Sequence, residues 1–310
     1  SFLELTSTPL EASMLLLPFE YDFDKRFNKL YAEIQAMAAD HYLKVLVFYN
    51  NDNDAPIDFE NAIIFRTSFC QSVKKANEFA LPAWSTDFKQ YFPKQEFIPR
   101  QKASIPVIGY CGYVDYISPK STYKSIRNKI KKSLLHLMPK PDRPHGAVLR
   151  GTAVRHLLSW KNIKCNFLLR SDFWAPEIGD KNKAREEYAF NIINSDYTLV
   201  TSGGGNFSYR LYEVMSCGRI PVFINTDAVL PFQEHISWKE NCIWVEASEI
   251  KNIGKRILHF HNSVSTETFF KLQQNNRNIY EEWLSPEGFH KHLFSYLTQI
   301  NITNTKTSNL

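Results

Sequence analysis

One stretch of the chain, residues 197–224, constrains the fold most strongly, because it encodes a strand, a glycine loop, a short helix and a second strand in succession. Tyr197–Val200 is a β-branched and aromatic run that predicts a buried strand. Residues 203–205 are three glycines, which let the backbone approach a ligand closely because no Cβ intervenes. Residues 219–224 predict the second strand. A unit of this kind is a common way for an α/β protein to hold a nucleotide diphosphate.

The helix predicted after the glycines carries side chains suited to an anionic ligand. Asn206 or Ser208 can cap its first turn, and the free N–H groups and dipole of a helix N-terminus attract phosphate. Arg210 and Glu213 are three residues apart and therefore share one face of this helix. A glycine cluster without the spacing of a dinucleotide-binding fingerprint is also typical of a tight turn, so the glycines alone do not establish a ligand site.

The residues around and after this helix resemble the exostosin family of glycosyltransferases. The second half of that family typically has a serine and an arginine two residues apart, a glutamate, the pattern G-x-I-P-V, an aspartate, L-P-F and I-x-W. This chain has the corresponding residues in the same order: Ser208, Arg210, Glu213, Gly218, Ile220, Pro221, Val222, Asp227, Leu230, Pro231, Phe232, Ile236 and Trp238. Thinner similarity at residues 11–18, 81–84 and 106–112 extends the resemblance over most of residues 9–285.

The resemblance implies an α/β protein with the GT-B fold, in which two Rossmann-like domains face each other across a cleft. We expect an N-terminal acceptor-binding domain over residues 1–150, joined by a C-terminal helix over 286–300 that crosses back onto it. The C-terminal domain, residues 151–285, is expected to bind the nucleotide-sugar donor. The polar residues 301–310 predict a flexible tail.

The pattern of strands and helices agrees with two such domains. Strands alternate with helices along the chain, which favours parallel sheets, and 310 residues are enough for two domains. Residues 105–110 predict the last strand of the first half, followed by a helix over residues 123–138. Residues 140–146 contain three helix breakers and predict a linker, which sets the domain boundary between residues 145 and 160.

The donor site can be assigned residue by residue from the resemblance. Arg210 is expected to contact the diphosphate of the donor, Glu213 the ribose hydroxyls, and Asp227 the sugar hydroxyls, with a capping or turn role as the alternative for Asp227. Arg170 and Arg185 are further candidates, and either can instead be a surface or ion-paired arginine. The full set expected to bind the donor is Arg170, Arg185, Gly203, Gly204, Gly205, Asn206, Ser208, Arg210, Glu213 and Asp227.

No metal or other cofactor is expected, because arginines and a helix N-terminus can balance the charge of a departing nucleoside diphosphate. Asp52-Asn-Asp54 has the D-x-D pattern that holds a divalent ion in another glycosyltransferase fold, but its neighbours Asn50, Asn51 and Pro56 indicate a turn. If the enzyme inverts, a base must deprotonate the acceptor hydroxyl. The candidates in predicted cleft loops are Asp115, which we favour, and Glu20, Asp22 and Asp87.

The sequence therefore predicts a glycosyltransferase that moves a sugar from a nucleotide donor, expected to be a UDP-sugar, to a hydroxyl of a glycan or lipid-linked acceptor. We expect the transfer to be inverting and independent of metal. Two alternatives stay open at this point. One is an inactive glycan- or nucleotide-binding module of the same fold, and the other is a sugar-nucleotide epimerase.

Charge and cysteine content give expectations about partners and location. The net charge is +5, and much of the surplus lies in residues 120–143, which predict an amphipathic basic helix. Such a helix either packs as a solvated face or contacts anionic lipid at a membrane surface; no nucleic-acid-binding module accompanies the charge. Five scattered cysteines without a C-x-x-C pair indicate reduced thiols. No apolar run approaches the roughly 20 residues of a membrane span. Because the thiols are expected to be reduced, we expect a cytoplasmic protein that contacts a membrane only peripherally.

Overall fold

The computed structural model describes residues 4–114, 146–170 and 179–307. Within these ranges the chain forms two parallel β-sheets that are covered by helices. Three features predicted from the sequence lie wholly or largely outside the described residues, namely Asp115 as the base, the basic helix of residues 120–143 and the linker of residues 140–146. Among the described helices, none is both long and apolar enough to cross a bilayer.

The first half of the chain forms a four-stranded parallel sheet. In sheet order its strands are β1 (Leu15–Leu16), β2 (Val45–Tyr49), β3 (Ala62–Arg66) and β4 (Glu78–Ala80). Helix α1 (Asn28–Asp40) connects β1 to β2. The register aligns Val45 with Ala62 and Ile64 with Glu78. Near-continuous apolar strands of this kind are typical of a parallel sheet that is buried on both faces.

Alternation along the strands directs side chains into two separate cores. Val45 and Val47 of β2 pack with Tyr31 of α1 in one cluster. Leu46 of β2 and Phe65 of β3 point to the opposite face and join a larger cluster that also contains residues of the second half of the chain. Because successive side chains of a strand face opposite sides, one short strand supports both cores.

The second sheet has five parallel strands. In sheet order they are β6 (Lys164–Arg170), β5 (Val107–Tyr113), β7 (Tyr197–Val200), β8 (Ile220–Asn225) and β9 (Ile243–Glu246). The helices of this half are α2 (Gly146–Leu158), α3 (Lys181–Ile193), α4 (Tyr209–Ser216), α5 (Ile253–Ser263), α6 (Thr266–Ile279) and α7 (Pro286–Thr307). A π-helical turn at Tyr280–Leu284 connects α6 toward α7.

The predicted division of the chain at residues 145–160 is wrong in two respects. Strand β5, which the sequence assigned to the first half, pairs in register with β6 and β7 of the second sheet, as in Val107 with Lys164 and Ile108 with Tyr197. The second sheet therefore begins near residue 107. The predicted boundary itself contains helix α2, whose first residue, Gly146, packs directly against the backbone carbonyl of Ser202 with no room for a Cβ.

The C-terminal helix α7 returns to the first half of the molecule. Phe289 is fully buried and contacts Phe65 of β3 and Trp84, with ring centroids 5.6 and 5.3 Å apart. It also contacts Phe232, which follows the second sheet's strand β8, at 5.8 Å. The helix continues to Thr307, so the tail predicted over residues 301–310 is helical in its described part.

The two sheets meet through the loops at the carboxyl ends of their strands. The backbone N–H of Asn206, after β7, donates to the hydroxyl of Ser68, after β3, at 2.7 Å. A second contact joins Cys70 and Ala228, which form an isolated antiparallel bridge. Two α/β units that face each other through their carboxyl edges form the GT-B fold, so the predicted fold class is confirmed. Ligand sites of parallel sheets lie at these edges.

Candidate active site

The glycine loop faces the first half of the molecule. A Cβ on Gly204 would lie 2.5 Å from the Asp52 carboxylate, and a Cβ on Gly205 would lie 2.7 Å from the Ser68 hydroxyl and 2.8 Å from the Asp52 Cα. Glycine is therefore required at position 205, where a Cβ would meet the main chain of Asp52, whereas a Cβ at position 204 would displace the Asp52 side chain. Gly203 has more space, because its Cβ would meet only the Phe207 carbonyl oxygen at 3.6 Å. The backbone of the glycine loop does approach a neighbour closely, as expected, and that neighbour is the loop after β2.

Asn206 and Asp227 connect the two halves, and their roles in donor binding stay predictions. The buried Asn206 side chain donates to the carbonyl oxygens of Phe69 and Thr226, both at 3.1 Å, and accepts from the Thr226 hydroxyl at 2.7 Å. The Asp227 carboxylate accepts from the backbone N–H of Ser72 at 3.1 Å and from its hydroxyl at 2.5 Å. These bonds occupy polar groups that a donor ligand would otherwise need.

Helix α4 begins directly after the glycine loop. Its N-cap residue is Ser208, whose extended backbone ends the loop and whose hydroxyl makes no capping hydrogen bond. Asn206, the alternative cap, is therefore excluded from this role. The Ser208 side chain therefore leaves the first N–H groups of α4 uncapped, at an end of the helix where the dipole favours an anion.

Arg210 is held in one orientation at the end of β5. Its Nη2 donates to the carbonyl oxygen of Cys111 at 2.6 Å, and its Nε donates to the Tyr188 hydroxyl at 3.2 Å. The guanidinium also lies over the rings of Tyr110 and Tyr188, 4.3 and 5.3 Å from their centroids. A Cβ on Gly112 would lie 3.0 Å from Nη2, and the positive φ of Gly112, 146°, is a second reason for glycine there.

Two further arginines converge on the same strand end. Arg170, the last residue of β6, donates to the Glu187 carboxylate at 2.5 Å and lies 3.8 Å from the Cys111 sulfur. Arg150 of α2 is only 8% exposed. Burial lowers its pKa, and the nearby charge of Arg210 lowers that pKa further, although Tyr110 acts in the opposite direction. Arginines from three different elements therefore surround the end of β5, which makes this point attractive to an anion.

Glu213 is buried beneath Arg210. Its Oε2 accepts from the Tyr188 hydroxyl at 2.5 Å, and its Oε1 lies 3.3 Å from Nη2 of Arg185, which stacks over Phe88. Burial raises the pKa of Glu213, whereas Tyr188, Arg185 and Arg210 act to lower it. Both carboxylate oxygens are occupied and the residue is 4% exposed. In this geometry Glu213 orients Tyr188 and Arg185, and a ribose would have to displace one of them to reach it.

The candidate bases differ in their surroundings. Glu20 and Asp22 are exposed, and the Asp22 carboxylate accepts from the backbone N–H of Asp24 at 3.0 Å in a local turn. Asp87 forms a two-pronged ion pair with Arg277, at 2.7 and 2.8 Å, and is excluded as a base because that pair stabilises its charge. Glu20 remains a candidate base, because it follows β1 at the carboxyl edge of the first sheet.

The D-x-D segment forms the predicted turn. The backbone N–H groups of Asn53 and Ala55 donate to the side chains of Asn51 and Asn53, at 3.2 and 3.0 Å, as in successive Asx turns. In the part of the chain that the structure describes, no group of three histidine, cysteine or acidic side chains could hold a metal ion. The five cysteines, all within the described ranges, are free thiols.

Two residues of the site have no signal in the sequence. Arg150 lies beside a run of prolines that predicts a linker, and only the packing of α2 brings it to β5. Tyr188 lies on α3, more than twenty residues before Arg210 and Glu213, so no local sequence pattern predicts its contacts with them. Together with Arg170 and Arg210 they form a largely buried, positively charged cluster at the end of β5.

Comparison with known proteins identifies the family. The Exostosin GT47 domain model matches residues 79–259. Exostosin-1 of Drosophila melanogaster is 27% identical over 160 residues, 51% of this chain and 19% of that protein. A probable glucuronosyltransferase GUT1 of Oryza sativa subsp. japonica is 26% identical over 114 residues, 37% of this chain and 24% of that protein.

The matches cover different shares of the compared proteins. This chain spans a quarter or less of the length of the curated relatives that it matches. Among solved structures, TarM aligns at 11% identity with a TM-score of 0.42, over 81% of this chain and 50% of that one. Since the domain model alone covers more than half of the 310 residues, the chain belongs to the exostosin GT47 family of glycosyltransferases.

Proposed function

We propose that this protein transfers a sugar from a nucleotide-sugar donor to a hydroxyl of a glycan, and that the arginines at the end of β5 bind the donor diphosphate. The observation that supports this most strongly is the convergence of three arginines on the end of β5: Arg170 and Arg210 contact Cys111, and Arg150 lies near Tyr110, Tyr113 and Arg210. A diphosphate carries several negative charges, and guanidinium groups bind phosphate oxygens through paired hydrogen bonds.

The chemistry follows from where charge develops. When the bond between the sugar and the diphosphate breaks, the leaving oxygen gains negative charge, and donors fixed beforehand stabilise that charge at little reorganisation cost. Arg210 is fixed by Cys111, by Tyr188 and, through Tyr188, by Glu213. Arginine supplies the positive charge that a divalent ion supplies elsewhere, so we infer that transfer proceeds without a metal.

The donor and the acceptor are inferred from the relatives. Two of the matched plant proteins are named as probable glucuronosyltransferases. We therefore propose a uridine-linked hexuronic acid as the donor, with the nucleotide itself inferred from the family resemblance. A single displacement at the anomeric carbon, which inverts its configuration, and a glycan or lipid-linked glycan as the acceptor complete the proposal.

A thermal-shift screen of uridine, guanosine, cytidine and adenosine diphosphates tests this function, with magnesium or EDTA present in parallel. A ligand that binds only the folded state raises the melting temperature. We expect a selective shift with UDP that EDTA does not abolish. Loss of the shift in EDTA would contradict metal independence. No shift with any nucleotide would contradict the donor site and favour a glycan-binding module, whereas an altered donor sugar without any acceptor would favour an epimerase.

A further inference from the structure

Asp52 is held against the glycine loop at the junction of the two halves. Its carboxylate oxygen lies 2.5 Å from where a Cβ on Gly204 would be, and its Cα lies 2.8 Å from the equivalent point on Gly205. It therefore reaches from the carboxyl edge of the first sheet to the residues that precede α4. The sequence alone gave this residue a turn role only.

The backbone around Asp52 is fixed by buried groups. Arg66 of β3 is 1% exposed and donates from Nη2 to the carbonyl oxygens of Asn53 and Ala55, at 3.0 and 2.9 Å. Its Nη1 forms an ion pair with Glu78 at 2.8 Å. The Thr67 hydroxyl donates to the carbonyl oxygen of Asn51 at 3.1 Å. Bonds on both sides of Asp52 thus hold its main chain beside the glycine loop.

The Asp52 carboxylate itself is available. Asp52 is exposed, and within residues 4–114, 146–170 and 179–307 no cation or hydrogen-bond donor engages its oxygens. It lies close to Tyr209, the first residue of α4: burial raises the pKa of Tyr209, and the charges of Asp52, Glu20 and Glu213 raise it further. Since Arg210 follows Tyr209 directly, a carboxylate and a guanidinium flank the start of one helix from the two halves of the protein.

We propose that Asp52 is the catalytic base of the transfer, an inference that rests on the proposed function. The acceptor hydroxyl oxygen forms a bond to the anomeric carbon of the donor sugar, and its proton passes to a carboxylate oxygen of Asp52. The bond between the anomeric carbon and the diphosphate oxygen breaks. The diphosphate leaves with that electron pair and the added negative charge, which Arg210 and its neighbouring arginines stabilise.

Asp52 suits this role better than the other described carboxylates of the first half. Asp87 is neutralised by Arg277, and Asp22 accepts a backbone hydrogen bond in its own turn. Glu20 also lies near Tyr209, and the buried Tyr31 holds its loop through hydrogen bonds with the backbone of Asp22. Of these two carboxylates, it is that of Asp52 that lies against the glycine loop. A base must be in reach of the proton before its strength matters.

The test compares turnover with donor binding in the same variants. UDP release from UDP-glucuronic acid is measured with a panel of neutral oligosaccharides, and UDP affinity by calorimetry. We expect Asp52→Asn to lower turnover by about 10²–10⁴-fold while its affinity for UDP stays within about threefold. Asp58→Asn, an exposed aspartate of the same half, is the matched control and should change neither.

A further variant moves the carboxylate without removing it. Gly204→Ala should displace the Asp52 side chain and lower turnover. If Asp52→Asn turns over near the wild-type rate, the inference about Asp52 is overturned and the proposed function stays intact. The same holds if Glu20→Gln loses turnover while Asp52→Asn keeps it. Loss of UDP affinity in Asp52→Asn would assign Asp52 to donor binding instead. Wild-type protein that neither binds UDP nor releases it would overturn the proposed function, and the inference with it.

Discussion

At the scale of single residues, the site depends on a carboxylate that is almost fully buried, that of Glu213. Glu213 accepts from Tyr188, which in turn accepts from Arg210, so the orientation of the arginine depends on the glutamate one turn further along α4. A buried ionised carboxylate is costly unless it is paired. Here Arg185 and Tyr188 offset that cost only in part, because the net effect on the pKa of Glu213 is a rise.

This rise predicts a specific pH dependence of stability. Between its ordinary pKa of 4.5 and its higher folded value, Glu213 is protonated in the folded state and ionised in the unfolded chain. Its contribution to the free energy of unfolding is therefore fully present below the unfolded pKa and is lost as the pH rises through the folded value. Glu213→Gln does not titrate and should lack this loss.

Urea denaturation of both proteins from pH 4 to pH 7 measures the difference. The free energy of unfolding of the wild-type protein, relative to Glu213→Gln, should fall over this range. A relative stability that rises with pH would mean that the ion pair with Arg185, at 3.3 Å, outweighs burial.

At the scale of elements, the glycine loop joins the two halves of the molecule. A Cβ at position 205 would lie 2.7 Å from the Ser68 hydroxyl and 2.8 Å from the Asp52 Cα, and the second of these is main chain that cannot move aside easily. Gly205→Ala should therefore lower the free energy of unfolding by about 1–3 kcal/mol through overpacking.

Gly203→Ala is the matched control in the same loop. Its Cβ would have no neighbour nearer than 3.6 Å, so its stability should stay within about 0.5 kcal/mol of the wild type. Chemical denaturation of the two variants in parallel checks both values. Equal effects at the two positions would contradict the close contact between the glycine loop and Asp52.

The sequence predicted the bounds of the strands better than it predicted which strands pair with one another. The apolar runs of β3 and β7 set their bounds, because a buried parallel strand needs such a run. The same local pattern does not say which sheet a strand joins, which is why β5 was assigned to the wrong half. The contacts of Asn206 and Asp227 join residues more than one hundred positions apart, and no local pattern encodes them.

At the scale of the whole molecule, one apolar cluster joins the two sheets. It combines Leu46 and Phe65 of the first sheet with Phe223 of the second, and α7 closes it. The family resemblance led us to expect a helix that returns to the first half, but sequence alone could not give the three rings that Phe289 contacts. A core shared in this way predicts that both halves unfold together.

Phe289→Ala tests the shared core. Phe289 is fully buried between Phe65, Trp84 and Phe232, so the truncation should cost about 3–5 kcal/mol. Phe294→Ala, at a position 55% exposed on the same helix, should cost no more than about 0.5 kcal/mol. Differential scanning calorimetry should give a single transition for the wild type; two separate transitions would contradict the shared core.

The most direct test of the account is a calorimetric titration of UDP into three proteins: the wild type, Arg210→Gln and Arg256→Gln. Arg256 is a half-exposed arginine of α5 that pairs with Glu249 away from the site, and its variant serves as the control. Hydrogen bonds to charged groups contribute about 1.5–3 kcal/mol, so Arg210→Gln should weaken binding about 10- to 100-fold, with the control unchanged. Equal affinity of Arg210→Gln and the wild type would contradict the assignment of the arginine cluster as the diphosphate site.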